Sequence, residues 1–290
     1  MEARGGAHDW AREIAKLGHQ VRLMSPRFVR PYVKSNKNDA KDAEAICEAV
    51  ARPSMRFVAV KRQAEQDKMA LHRVRSILIR ERTALTNQMH GLLAECGIVV
   101  AQGAAHLRRA LAEISGGRAN RVSELLREAL VEMSERLRSF EERIGRYGRQ
   151  IAALARSDLK GDQLMTVPGL GPLIATALIA TVGDAQQFKS GRELSAWLGL
   201  VSREHSSGER TILLGISKHG DRFLRTLLVH GARSALRSAS HKHDRRSLWI
   251  RTLKDRLGPN IVAVALANKN ARELWALLTR TEEYRAPAAA

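Results

Sequence analysis

Four short stretches of this sequence hold residue types that could do chemistry at a phosphate. In Val167-Pro168-Gly169-Leu170-Gly171-Pro172, two glycines in a tight turn precede a proline suited to the first turn of a helix, and an apolar run continues over residues 173–182. This is a helix-hairpin-helix signature. A helix opened by a glycine turn presents unpaired backbone N–H groups with the positive end of the helix dipole behind them, which makes Gly169 and Gly171 candidate phosphate contacts. An ordinary turn between packed helices has the same composition. The second stretch, His205-Ser206-Ser207-Gly208-Glu209-Arg210, sets a serine before a glycine on a polar, sterically open loop with basic side chains close by in sequence. Taken alone, that pattern is more often a turn than a nucleophile. The third runs from Lys218 to Arg225 and alternates basic and apolar residues at helical spacing, which suits a helix lying on phosphates with Phe223 and Leu224 turned inward. The fourth is the pair Asp39 and Asp42, three apart at a helix start. They share one face and could hold a divalent cation, although the helix dipole favours carboxylates there in any case.

Composition narrows the partners of such groups. The 290 residues carry 49 Lys and Arg against 30 Asp and Glu, a net charge of +19 and a pI near 10.9. An excess that large opposes compaction unless a polyanion neutralises it, so nucleic acid is the expected partner. Aromatic residues make up only 4% of the chain, too few for base stacking to be the main mode of binding, while 44% hydrophobic content is enough for real cores. No uninterrupted apolar span of transmembrane length and no signal peptide appear, which points to a cytoplasmic protein with no membrane partner. Cys47 and Cys96 are too far apart for a metal motif and read as packing residues. The pair His241 and His243 lacks a further ligand at metal spacing and reads as a phosphate contact.

These residues need elements to position them. Residues 9–17 read as a helix ending at Gly18, residues 21–24 as a short strand, and Pro26 and Pro31 bracket a helical turn or loop. This β–α–β rhythm predicts an α/β layer with a partly parallel sheet. A helix carrying Asp39 and Asp42 comes after it, closed by Pro53, and residues 55–60 read as a further strand. Two long helices come next. Leu71, Leu78, Leu85 and Leu92 recur every seven residues, and Leu126, Leu130, Met133, Leu137, Phe140, Ile144, Tyr147, Ile151 and Leu154 form a second heptad seam. The spacing predicts an antiparallel coiled-coil hairpin that also dimerises. Residues 260–278 read as a closing amphipathic helix, and residues 281–290 as a frayed tail.

The combination resembles a known family, the DEDD-type insertion-sequence transposases. The match is strongest over Asn36-Lys37-Asn38-Asp39-Ala40-Lys41-Asp42-Ala43-Glu44-Ala45-Ile46 and over residues 167–232. The resemblance implies a fold and a set of roles. By it, the N-terminal part, residues 1–63, is a RuvC-like (RNase H-like) α/β nuclease domain, incomplete because the family's first aspartate should precede Met1. Residues 64–157 are coiled-coil helices, and residues 158–290 form an all-α transposase domain with the helix-hairpin-helix and the serine loop. The resemblance likewise makes Glu2, Asp39 and Asp42 the Mg²⁺-binding carboxylates. It makes Ser207 the nucleophile that forms a covalent phosphoserine with DNA, with Ser206 as the close alternative and Ser217 a distant third, and Arg203, Arg210, Lys218, Arg222 and Arg225 are the candidate phosphate contacts. The implied partners are DNA at the element's ends and target, a guide RNA, and further copies of the chain in a dimer or tetramer, beside the bacterial nucleoid. The competing expectation is a truncated, inactive nucleic-acid-binding protein.

Overall fold

A computed structural model describes residues 1–34, 38–116, 121–208 and 210–280. Asn36 and Lys37 of the aspartate motif, Glu209 of the serine stretch and the tail 281–290 lie outside the described residues. The chain divides into two compact units, residues 1–67 with 178–189, and residues 68–177 with 190–290.

The first unit is built around one short strand. After α1 (Ala7–Lys16) comes β1 (Leu23–Met24), whose two residues point to opposite faces and are both fully buried. Leu23 packs on Ala7 and Ala11 of α1. Met24 packs on Val29, from the short α2 (Pro26–Val29), and on Ala45 and Ala49 of α3 (Asp39–Val50). A strand buried on both sides is the mark of an α/β layer. Glu2 bridges Met24 in parallel, and β2 (Phe57–Val58) pairs antiparallel with β1. Among the described residues, the parallel element expected of this layer is limited to that one bridge: the β1–β2 sheet is two-stranded and antiparallel, with strands two residues long and helices in excess.

In the second unit the seams of α4 (Gln63–Glu95) and α6 (Glu124–Ser157) run antiparallel. Lys68 pairs with Asp158 at one end, 3.1 Å apart, and Gly97 lies beside Arg121 at the other. The connection between them is itself helical. Residues of α5 (Ala104–Ser115), namely Leu107, Leu111 and Ile114, join Leu78, Leu85, Met89, Leu93, Leu130, Leu137, Phe140 and Ile144 in one buried cluster. The two-helix coiled coil predicted from the heptads is thus corrected to a three-helix core. Heptad spacing specifies an apolar stripe, and the third helix packs against part of it within the same chain.

The C-terminal part continues as α7 (Leu159–Met165), α8 (Pro172–Val182), α9 (Gly191–Trp197), β3 (Ser202–Glu204), β4 (Leu213–Ile216), α10 (Arg222–Ser238), α11 (Arg245–Arg256) and α12 (Pro259–Thr279). The all-α expectation fails here, because β3 and β4 form an antiparallel hairpin. Helix α12 is central rather than a closing element. It packs on α7, α9, α10 and α11, and Val262, Leu266, Ala267, Asn270, Ala271 and Leu274 are fully buried. Alanines at 263, 267 and 271, four apart, leave room for such close neighbours. Arg246 is anchored in this core by Glu273 at 2.7 Å and by Asn270.

One buried titratable group makes folding pH-dependent. His72 on α4 is 2% exposed and hydrogen-bonds the Thr176 hydroxyl of α8 at 2.9 Å. Burial, aided by the charge of Arg75, lowers its pKa from 6.5 to about 4. Between those values the unfolded chain binds a proton that the folded chain refuses, so stability is full above the unfolded pKa and falls as pH drops from 6.5 toward 4. Urea denaturation is expected to show a loss of about 2 kcal/mol between about pH 7 and pH 5 that a His72→Gln variant lacks.

Candidate functional site

Each unit carries one group of candidate residues. In the first, Asn38 caps α3 by accepting a hydrogen bond from the Ala40 N–H at 2.9 Å, which sets Asp39 and Asp42 in the first turn. Glu2 is fixed by the parallel bridge to Met24, where the Ala3 N–H donates to the Met24 carbonyl at 2.7 Å. Glu2 and Asp42 thereby line one open cleft of about 720 Å³ together with Arg4, Pro26, Arg27, Arg30 and Val33. Asp39 is exposed and is not among the lining residues. Glu2 is ion-paired with Arg4. Among the described residues no group of three or more His, Cys, Asp or Glu is placed to hold a metal ion. The structure therefore brings two of the three expected carboxylates together and leaves Asp39 aside. The three arginines of the cleft were not picked out in the sequence. Arg27 and Arg30, three apart between Pro26 and Pro31, were the available signal.

In the second unit the serine stretch is the end of the β3–β4 hairpin. The ladder continues past β3 through the His205 N–H, which donates to the Ile212 carbonyl at 2.9 Å, to a bridge between Ser207 and Arg210. Gly208 adopts φ +59°, the left-handed conformation a tight hairpin tip demands. The serine loop is thus a structured tip, and the sequence signals were the Ser-Gly turn and the β-favouring Thr211-Ile212-Leu213 beyond it. Ser206 and Ser207 are both exposed and differ in their partners. The Ser206 hydroxyl donates to Glu204 Oε1 at 2.6 Å, whereas the Ser207 hydroxyl makes no hydrogen bond to a described residue. Arg210 faces Ser207 across the ladder, and Arg203 sits in β3.

The basic stretch 218–225 is two things rather than one helix. Lys218, with φ +55°, and Gly220, with φ +81°, form a turn, and α10 starts at Arg222 under an Asp221 cap that accepts from the Leu224 N–H at 2.9 Å. A Cβ on Gly220 would collide with the Trp197 carbonyl, and one on Gly199 would collide with His219, so the two turns interlock. Arg225 ties them, donating through Nη1 to the Leu198 carbonyl at 3.1 Å and the His219 carbonyl at 3.0 Å. Arg225, expected at phosphate, is in this structure a strut beneath the turn, whereas Lys218 and Arg222 are exposed or nearly so.

The two glycines of the 167–172 hairpin also divide. Gly169, with φ +87°, is pressed against the Gly231 backbone of α10, where a Cβ would stand 2.5 Å from the carbonyl oxygen. Gly171 has open space around it. The N–H groups of Gly171 and Leu173 make no hydrogen bond to described residues, leaving two donors at the start of α8.

Comparison with known proteins fits both units. Residues 1–98 match a DEDD transposase family named for the IS110 element, and residues 161–247 match the family described as "Transposase IS116/IS110/IS902 family". The chain is 51% identical, over 98% of its length and 85% of the relative's, to a probable family 20 transposase of Pseudomonas aeruginosa. It is 46% identical, over 98% of its length and 78% of the relative's, to the transposase for insertion sequence element IS1111A of Coxiella burnetii. A transposase for element IS1328 of Yersinia enterocolitica is 42% identical, with 97% and 83% covered.

Proposed function

We propose a division of labour for this chain, which belongs to the IS116/IS110/IS902 family of insertion-sequence transposases and is therefore a DNA-processing enzyme: the RuvC-like cleft of Glu2 and Asp42 serves a divalent cation, and Ser207 attacks a DNA phosphorus. The observation that carries the reading is the hairpin tip, an exposed serine whose hydroxyl has no hydrogen-bond partner among the described residues, directly across from an arginine. In the attack the Ser207 hydroxyl proton passes to a general base, its oxygen bonds to phosphorus, and the strand's sugar oxygen leaves and takes up a proton. The phosphoserine ester conserves the bond energy, so a strand hydroxyl can attack it in turn, restore the serine and join a new strand. Arg203, Arg210, Lys218 and Arg222 supply cations for the extra negative charge on the pentavalent phosphorus.

Membership of the DEDD family points to dependence on a divalent metal. Two carboxylates on one cleft are hard oxygen donors of the type Mg²⁺ takes, with waters and substrate phosphate oxygens as the other ligands such an ion uses. When bound, the ion supplies charge neutralisation at a phosphate oxygen. Asp39 stands near that set in sequence and completes it only if its side chain turns inward. The same reading assigns DNA ends and target as substrates, a guide RNA as specificity factor, a cytoplasmic site beside the nucleoid, and a dimer or tetramer formed through α4 and α6. The charge of +19 supports the nucleic-acid partners. A second reading, a nucleic-acid-binding protein without turnover, is favoured by the incomplete carboxylate set among the described residues.

The test is a trapped adduct. The protein is incubated with the element's end junctions, Mg²⁺ and RNA from the element's flank, and the protein–DNA adduct is digested and mapped by mass spectrometry. Modification at Ser207 is expected. Tight DNA binding with no adduct under any RNA would replace the enzyme reading with the binding one. The two arginines of α10 are expected to separate as well. Arg222→Ala lowers the salt dependence of DNA binding by about one phosphate contact with little change in stability. Arg225→Ala instead costs about 2 kcal/mol in urea denaturation, because two carbonyls lose a charged donor.

A further inference from the structure

The cleft of Glu2 and Asp42 contains more guanidinium groups than carboxylates, since Arg4, Arg27 and Arg30 line it too. Glu2 is largely covered, its side chain 17% exposed, and its ion-pair partner is Arg4, which is 59% exposed. A covered carboxylate needs a cation beside it. Arg4 provides one from the solvent side, where water solvates most of the guanidinium.

We propose that Arg4 is an exchangeable counter-ion: it neutralises Glu2 until a nucleic-acid phosphate enters the cleft, takes the guanidinium onto itself beside Arg27 and Arg30, and frees Glu2 for a divalent cation. The inference rests on the reading of Glu2 and Asp42 as metal ligands. A guanidinium meets a phosphodiester with two parallel charge-assisted hydrogen bonds, a stronger match than its exposed pairing with Glu2. An ion on the Glu2 carboxylate stands beside the Arg4 guanidinium and is repelled by it, so each weakens the other's hold. Phosphate and metal therefore help one another into the cleft, each raising the other's affinity by the same factor. The volume of about 720 Å³ accommodates both a phosphodiester and a hydrated ion.

The experiment counts bound Mn²⁺ by electron paramagnetic resonance, with and without a short DNA duplex, each titration corrected for the duplex alone. The full chain is compared with Arg4→Ala, Arg4→Gln, Glu2→Gln and Asp42→Asn, all with melting temperatures matched to wild type. The duplex is expected to tighten Mn²⁺ binding about fivefold or more in wild type. Without DNA, Arg4→Ala and Arg4→Gln bind Mn²⁺ tighter than wild type by a similar factor, and the duplex then adds little. Arg4 variants that bind Mn²⁺ like wild type, or keep the full enhancement by DNA, overturn the exchange while the metal reading stands. If Glu2→Gln and Asp42→Asn bind Mn²⁺ as tightly as wild type, the metal reading falls and the exchange falls with it.

Discussion

A Ser207→Ala variant is expected to form no covalent adduct and to join no strands, a loss of about 10⁴-fold or more, because no other group takes over when a covalent nucleophile is removed. The expectation comes from the hairpin tip. Ser207 is held by a backbone bridge to Arg210 on both sides, with N–H to carbonyl distances of 3.4 and 3.3 Å, so its position is set by main chain that the alanine retains. Ser207 is exposed and its hydroxyl has no partner among the described residues, and stability should stay within about 0.5 kcal/mol of wild type, as for other surface substitutions. DNA affinity should also persist, because Arg203, Arg210 and Arg222 are untouched. Ser206→Ala is the control. Its hydroxyl is already bound to Glu204, and its loss is expected to lower the rate by no more than about tenfold through a looser hairpin. The opposite ranking, with Ser206→Ala inactive and Ser207→Ala active, would move the nucleophile to Ser206 and make Glu204 the acceptor of its proton.

The second large effect is on folding. Gly169→Ala is expected to destabilise the chain by about 4 kcal/mol, the sum of a left-handed backbone imposed on alanine and a methyl group driven into α10. At φ +87° a non-glycine residue is strained whatever the space, and here the space is taken by the Gly231 carbonyl. Neither side can give easily, since both are backbone. Gly171→Ala, two residues on, meets nothing within 4 Å and should change stability by less than about 0.5 kcal/mol. Urea denaturation of the two variants separates them, and DNA binding by Gly171→Ala then reports on phosphate approach to the N–H groups at the start of α8 that bond no described residue. Equal stability of the two variants would mean that the hairpin does not press on α10.

Much of the fold was legible because local patterns carried it. The two long helices were placed within a few residues by their heptads. Asn38 and Asp221 cap α3 and α10 through the side-chain oxygens their types suggest. The buried strand β1 was visible as an apolar pair between helical segments. The β3–β4 hairpin was missed, although Ile212, Leu213 and Leu214 all suit a strand. These residues are 37%, 67% and 43% exposed, so no buried stripe marks the alternation. The family resemblance, carried by the aspartate motif and the block from 167 to 232, was also readable from residue order, because those stretches are local in sequence.

The sequence by itself determined the basic charge, the helical majority, the transposase family and the short list of serines, carboxylates and arginines. Each of these depends on residue type or on spacing within one segment. Only tertiary structure decided how that list divides. It put Asp42 rather than Asp39 on the cleft with Glu2, and it turned Gly169 into a packing residue while leaving Gly171 open. It also bound Arg225 beneath a turn and, among the described residues, gave the Ser206 hydroxyl a partner and the Ser207 hydroxyl none. Those distinctions depend on contacts between segments far apart in the chain, such as Glu2 with Met24, Gly169 with Gly231 and Arg225 with Leu198. Local spacing carries no information about which distant backbone will be pressed against a given residue, and that contact decides whether the residue is available for chemistry.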